Sequence, residues 1–257
     1  MAELPALRRM PDGGTHLGGP VARRMLAAVR HHLHADFVTP MAAVAGAVAD
    51  EVLAAMLAAA RLERAYVNNG GDAAFHLAVG QALTVAMPGT GGALTIAHDD
   101  PVRGVATSGW GGRSHSLGIA DAVTVLAASA AAADAAVTLI ANAVDLPGHP
   151  AITRKPANTL DPDSDLGMRL VTTGVGRLGD ADVAEALARG MDRAKEMRSQ
   201  GLICAAAIGL KGRVRILGQR SGTARSNAGA YQLVRGGWPS PKADTAIPAN
   251  VLGLSPR

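Results

Sequence analysis

Aromatic side chains are nearly missing from this 257-residue sequence, which has two Trp, two Tyr and two Phe. So few π-faces leave little on which nucleic-acid bases could stack and no Trp and Tyr belt for a membrane interface, which argues against single-strand nucleic-acid readers and membrane spans. Cysteine is scarcer still. The single Cys204 excludes an intrachain disulfide and a Cys-rich metal or iron–sulfur site, and its setting, Gly201-Leu-Ile-Cys-Ala-Ala-Ala-Ile208, predicts a thiol buried as a small hydrophobe. No apolar run reaches the roughly 18 uninterrupted residues of a spanning helix. Met1-Ala-Glu-Leu-Pro5 lacks the charged and apolar regions of a secretory signal, which predicts a cytoplasmic protein.

What is present is alanine and 31 glycines in a chain that is 48% hydrophobic and 18% charged, the composition of a globular chain with a sizeable core. The net charge of +4 is unevenly placed. From residue 201 onward eight basic residues face a single acid, Asp244, whereas residues 1–200 sum to −3. The basic residues are spaced rather than clustered and lie among Gly, Ser, Pro and Asn, so residues 221–257 read as a loosely structured, solvated tail rather than a nucleic-acid arm. Residues 1–18, with Pro11-Asp-Gly-Gly14 and Leu17-Gly-Gly-Pro20 around them, read as a flexible arm, and residues 19–220 as one domain.

Helices are predicted over Val21–Leu33 and Pro40–Arg61, the second opened by Thr39 as a hydroxyl cap before a first-turn proline. Gly46, in the middle of the second, costs about 1 kcal/mol of helix stability and implies a close backbone approach. Period-two runs at Arg64–Asn69, Ala73–Val79, Ala82–Met87, Ala93–Ala97, Val102–Thr107 and Asp121–Ala127 predict strands of a meander. An alanine-rich helix at Ala131–Val144, a proline-containing loop, a strand at Leu170–Val175, a helix at Asp180–Arg198 and a hairpin of Leu202–Leu210 with Val214–Leu217 follow. This order is not the regular alternation of a doubly wound sheet. It predicts an α+β fold of mainly antiparallel mixed sheets packed with helices.

Thr107-Ser-Gly-Trp-Gly-Gly-Arg-Ser-His-Ser-Leu-Gly118 is the most informative polar segment. Its four glycines let the main chain approach a ligand, while Ser108, Arg113, Ser114 and His115 offer donors suited to phosphate or carboxylate. A lone Trp110 among glycines points to ligand contact. In Ala133-Asp-Ala-Ala-Val-Thr138 the i, i+4 spacing puts Asp134 and Thr138 on one helix face, where they could ligate a hard cation, although on spacing alone a first-turn acid complementing the helix dipole is the better account of Asp134. Asp161, Asp163 and Asp165 open like a calcium loop, but Leu166 holds the glycine position and Thr172 the glutamate position. Neither Ser108 nor Ser114 stands in G-x-S-x-G. His31, His32 and His34 read as solvent-facing residues at a helix end.

In order along the chain these segments resemble the flavin transferases of the ApbE-like superfamily, and more closely its uncharacterised bacterial and archaeal branch. Gly46 and Asp50 match K-G-x-x-x-D; Gly70-Gly71-Asp72 matches G-G-D; Ser108-Gly109, His115 and Val123-Thr124-Val125 follow in register; Asp134 and Thr138 match A-D-A-x-x-T. The resemblance implies an ApbE-like fold and a pocket in which Mg²⁺ assists cleavage of the FAD pyrophosphate. Carried over residue by residue, it implies catalytic roles for His115 and Asp72, a cofactor, FAD or FMN, on Gly70, Gly71, Ser108 and Gly109, and Mg²⁺ on Asp134 with Thr138. The loop's own chemistry adds Arg113 to the catalytic set and Trp110 and Ser114 to the cofactor-binding set. Three departures stand out: Ala45 replaces the lysine, Trp110 follows Ser108-Gly109 where an acid is usual, and the D-P-x-T-G segment is missing. They imply weak or absent FMN transfer to protein, while the donors of the 107–118 loop suit a small anionic ligand. The branch also resembles a domain joined to iron–sulfur modules in N-heterocycle ring reductases, which leaves an enzyme on another anionic or cyclic substrate, or a non-catalytic flavin-binding subunit, as alternatives. A redox protein partner and a homo-oligomer are compatible with either.

Overall fold

The computed structural model describes residues 3–34, 37–87, 92–218, 234–235 and 253–254. Its strands are β1 (Arg64–Asn69), β2 (Asp72–Leu77), β3 (Ala82–Met87), β4 (Gly92–Ala97), β5 (Gly104–Ser108), β6 (Ala122–Ala127), β7 (Ile152–Pro156), β8 (Leu170–Val175), β9 (Ala205–Leu210), β10 (Arg213–Leu217), β11 (Val234–Arg235) and β12 (Gly253–Leu254). Its α-helices are α1 (Leu4–Leu7), α2 (Pro20–Arg30), α3 (Val44–Ala59), α4 (Ala130–Ala143) and α5 (Asp180–Ser199). Seven strands form one sheet in the order β10-β9-β6-β5-β2-β1-β12, flanked by a three-stranded sheet β11-β4-β3 and a ribbon β7-β8. Every ladder is antiparallel, so the fold is α+β as expected.

Strand alternation explains the layers, because successive side chains point to opposite faces. Val123, Val125 and Ala127 of β6, with Ala206, Ile208 and Leu210 of β9, face α4 and α5 in the main core. Leu126, Ala205, Ala207, Phe75 and Leu77 project from the other face onto Met87, Leu94 and Ile96 of the small sheet. All six positions of β9 are consequently buried. A small apolar cavity of about 40 Å³ among Met87, Leu94, Leu126 and Ala205 lies in this second layer, away from every candidate site residue.

α4 is the hub. Nine of its 14 residues are buried, and its alanines let neighbouring backbone come close. A Cβ on Gly46 would lie 2.2 Å from the Ala130 carbonyl oxygen, and one on Gly104 would lie 2.1 Å from the Ala130 nitrogen, so the start of α4 is clamped between α3 and β5. The close approach inferred for Gly46 is present. It also allows the two helices to cap each other: the Asp50 carboxylate accepts from Ala130 N–H at 3.0 Å and Ala131 N–H at 2.9 Å, while Asp134 accepts from Gly46 N–H at 2.9 Å and from Ala45 N–H. Orphan amide groups at both helix starts are thereby satisfied by half-buried carboxylates.

Several expectations need correction. Residues 3–18 are not a loose arm: they contain α1, bury Leu17, and anchor through Glu3, whose carboxylate accepts from Gly18 and Gly19 N–H. Thr39 does not cap a helix at Pro40. Residues Pro40–Ala43 form a 3₁₀ turn, α3 begins at Val44, and the Thr39 hydroxyl donates to Asp165 instead. β7 was hidden by prolines, with Pro156 at its very end. His32 is buried rather than solvent-facing, and burial pushes its imidazole down to about 4. Cys204 is half-buried. The tail expected from residue 221 lies outside the described residues except for β11 and β12, which pair with β4 and β1. Among the described residues, Pro40–Ala59 is the one helical stretch long and apolar enough to cross a membrane by length and composition, and it packs here against α4, β1 and β2.

Candidate functional site

A cleft of about 900 Å³ opens between the face of α4, the start of α3, the 107–117 loop and the 161–166 segment. Its floor is built from a hairpin. Asn69 and Asp72 pair across a two-residue turn whose glycines have φ of +71° (Gly70) and +115° (Gly71), conformations that favour glycine and match the twist of a tight hairpin. Asn69 then donates its amide to the Ala45 carbonyl at 3.1 Å, tying the turn to the start of α3. Asp72, the first residue of β2, is thereby fixed at the cleft wall.

Asp72 is buried, and one of its oxygens accepts from Thr107 N–H at 3.2 Å. Burial pushes its carboxyl up to about 6, against the opposing pull of the Thr107 N–H and of the Arg113 guanidinium. Asp72 and Asp134 are electrostatically coupled neighbours, and Asp134 is held well above the usual carboxylate range by burial first and by the charge of Asp72 second. Each carboxylate disfavours ionisation of the other, so the pair holds a shared proton more tightly than either would alone, and the Arg113 guanidinium offsets this only in part. Arg113 crosses above them, donating to the Gly70 carbonyl at 3.1 Å through a guanidinium nitrogen that fills the space where a Gly70 Cβ would stand.

Helix α4 contributes a stripe. Its polar residues are Asp134, Thr138 and Asn142, spaced by four, and all three line the cleft. Gly70, Ser108, Gly109, Arg113, Ser114 and His115 line it too, the last three as exposed residues. The structure therefore brings together nine of the residues singled out in the sequence: Asp72, Asp134, Thr138 and these six. Two fall outside. Trp110 does not line the cleft, although Asp121, which accepts from its indole N–H at 3.3 Å, does; its main-chain N–H donates to the Ala120 carbonyl, and the Gly71 N–H donates to the Asn68 side chain. Thr124 is buried behind the loop, its hydroxyl 3.1 Å from that of Thr107. Across the cleft, Asp163 pairs with Arg8 at 3.5 Å and Asp165 accepts from Thr39. Asn142 was missed in the sequence, although its spacing from Thr138 repeats that of Thr138 from Asp134.

The donor set suits a hard cation: two carboxylates and a hydroxyl, with no soft ligand. Among the described residues no group of three His, Cys, Asp or Glu side chains forms a ready cage. A Mg²⁺ ion does not require one, since it is commonly held by one or two carboxylates together with waters and ligand phosphates.

The family model described as AbpE bacteria matches residues 1–216, a span that contains every cleft residue named above. The chain belongs to this family. It is also 36% identical over 137 residues to a "UPF0280 protein" of Methanothrix thermoacetophila, an alignment covering 49% of the chain and 52% of the relative. The chain thus spans about half the length of the curated relative it matches. Neither name states a reaction.

Proposed function

We propose that the chain is an ApbE-like, divalent-cation-dependent enzyme that acts on a flavin nucleotide or a related phosphate compound. The observation that carries the reading is the coupled pair of neighbouring carboxyls, buried Asp72 and half-buried Asp134, which line the cleft with Thr138. In this reading Asp72, Asp134 and Thr138 hold Mg²⁺. Arg113 binds a phosphate oxygen by charge-assisted hydrogen bonding, and Ser108, Ser114 and the glycine-rich main chain supply further donors. His115 is the acid–base group. A bound divalent cation would supply charge neutralisation at the phosphoryl oxygens. What the chain's residues add is position: Asp134 is pinned by the start of α3, and Asp72 by Thr107 and the glycine turn.

A repurposed pocket, rather than a transferase of FMN to protein threonine, is favoured by Ala45. It lines the cleft where the transferases carry lysine, so the methyl leaves a fixed positive charge missing from a preorganised site. The test is incubation with FAD, Mg²⁺ and a threonine-bearing acceptor, read by covalent flavin fluorescence on a denaturing gel alongside FAD consumption. Mg²⁺-dependent FAD binding or consumption with little or no fluorescent acceptor is the expected result. A strong fluorescent acceptor would restore the transferase reaction, and no response to FAD with Mg²⁺ would refute the proposal.

A further inference from the structure

The third polar residue of α4 has no role in holding the fold that uses its whole side chain. Asn142 accepts at Oδ1 from Leu117 N–H at 2.9 Å and from the Ser116 hydroxyl at 3.3 Å. A main-chain N–H can only donate, so the amide cannot be flipped and its NH₂ is fixed. Ser116 is itself held, accepting from Gly118 N–H at 3.2 Å. Among the described residues neither Nδ2 proton has a protein acceptor, and the residue lines the cleft.

We infer that Asn142 is a ligand-selecting residue: its Nδ2 donates to a carbonyl oxygen or ring nitrogen of an uncharged ring, joined to the phosphate that sits at Asp72 and Asp134. The eight residues from Asp134 to Asn142 correspond to about 12 Å of helix rise, which sets the separation between the two recognised groups. Leu117 and Leu139 line the cleft beside Asn142. The guanidinium of Arg154, which reaches the Leu117 carbonyl, is committed there and to Asp145. An anionic group at Asn142 would therefore be desolvated without a counter-charge, whereas a ring acceptor needs only the amide. A flavin nucleotide, with a phosphate at one end and a carbonyl-bearing ring at the other, has this layout. The inference rests on the proposed cation site, from which the distance is counted.

Asn142→Asp is the informative variant, since it keeps an oxygen for Leu117 N–H and Ser116 while replacing the donor by an acceptor. Binding of FAD and of pyrophosphate, each with Mg²⁺, is measured by calorimetry on the full chain of both forms. The expected result is an FAD affinity weakened at least about tenfold with pyrophosphate affinity unchanged. Equal FAD affinity in both forms, or an equal loss for pyrophosphate, would overturn the inference while leaving the cation site standing. Wild-type protein gives a second measurement independent of the variant's folding: FAD must bind at least about tenfold tighter than pyrophosphate. Pyrophosphate binding as tight as FAD binding would remove the ring contact, and binding of neither would overturn the cation reading and this inference with it.

Discussion

Replacing Asp72 by asparagine should make the cation-free protein more stable at pH 7.5 and less responsive to Mg²⁺. The side chain is buried, and its carboxyl titrates near 6 rather than at 3.8. A native state that holds this proton more tightly than the unfolded chain loses stability as pH rises from about 4, with the loss complete above about 6. That interval corresponds to about 3 kcal/mol, since each pKa unit is 1.36 kcal/mol. Asparagine retains an oxygen for Thr107 N–H and removes the ionisation; it also relieves Asp134 of a neighbouring negative charge. His32 acts oppositely in the same window, because its depressed value of about 4 gives stability that is lost as pH falls from 6.5. The assay is therefore the difference between variant and wild type in urea unfolding, with a chelator present, at pH 4.5 and pH 7.5. The variant should gain about 2 kcal/mol on wild type between the two conditions, since part of the interval lies below pH 4.5. Adding Mg²⁺ at about 100 times its Kd should stabilise wild type by about 2.7 kcal/mol and the variant by much less. A variant equally destabilised at both pH values would refute the shared-proton account of the pair.

Gly46→Ala should destabilise the fold by about 3 kcal/mol, because the new Cβ would stand 2.2 Å from the Ala130 carbonyl, and chemical denaturation measures this directly. Asp50→Ala leaves two amide groups at the start of α4 without their carboxylate and should cost about 2–4 kcal/mol, again read by denaturation. Arg113→Ala should leave the melting temperature unchanged, since the side chain is exposed, while weakening Mg²⁺–pyrophosphate binding by about 1.5–3 kcal/mol in calorimetry.

Where local chemistry and tertiary packing agree, the sequence could be read. Gly46 is an anomaly in a helix and announced the approach of α4; the Gly70-Gly71 pair announced a turn that delivers Asp72. The i, i+4 relation of Asp134 and Thr138 was visible for the same reason. The helix in fact carries a third member of that series, Asn142, and extending the four-residue spacing by one step would have found it. Other features were set by contacts remote in sequence. Thr39 has the chemistry of a cap but is drawn off by Asp165, 126 residues away. Trp110 sits within the glycine-rich loop, yet it is Asp121, the acceptor of its indole N–H, that lines the cleft. The reciprocal capping of α3 and α4 joins Gly46 to Asp134 and Asp50 to Ala130, pairings that no local pattern encodes.

The account depends most on the carboxylate pair acting as a cation site for a phosphate ligand. Calorimetric titration of FAD into the wild-type protein, once with Mg²⁺ and once with a chelator, and repeated with Asp134→Asn, tests that dependence directly. The account predicts FAD binding that requires Mg²⁺ in wild type and is lost in the variant while its fold persists. FAD binding of equal strength with the chelator, or unchanged by Asp134→Asn, would contradict it.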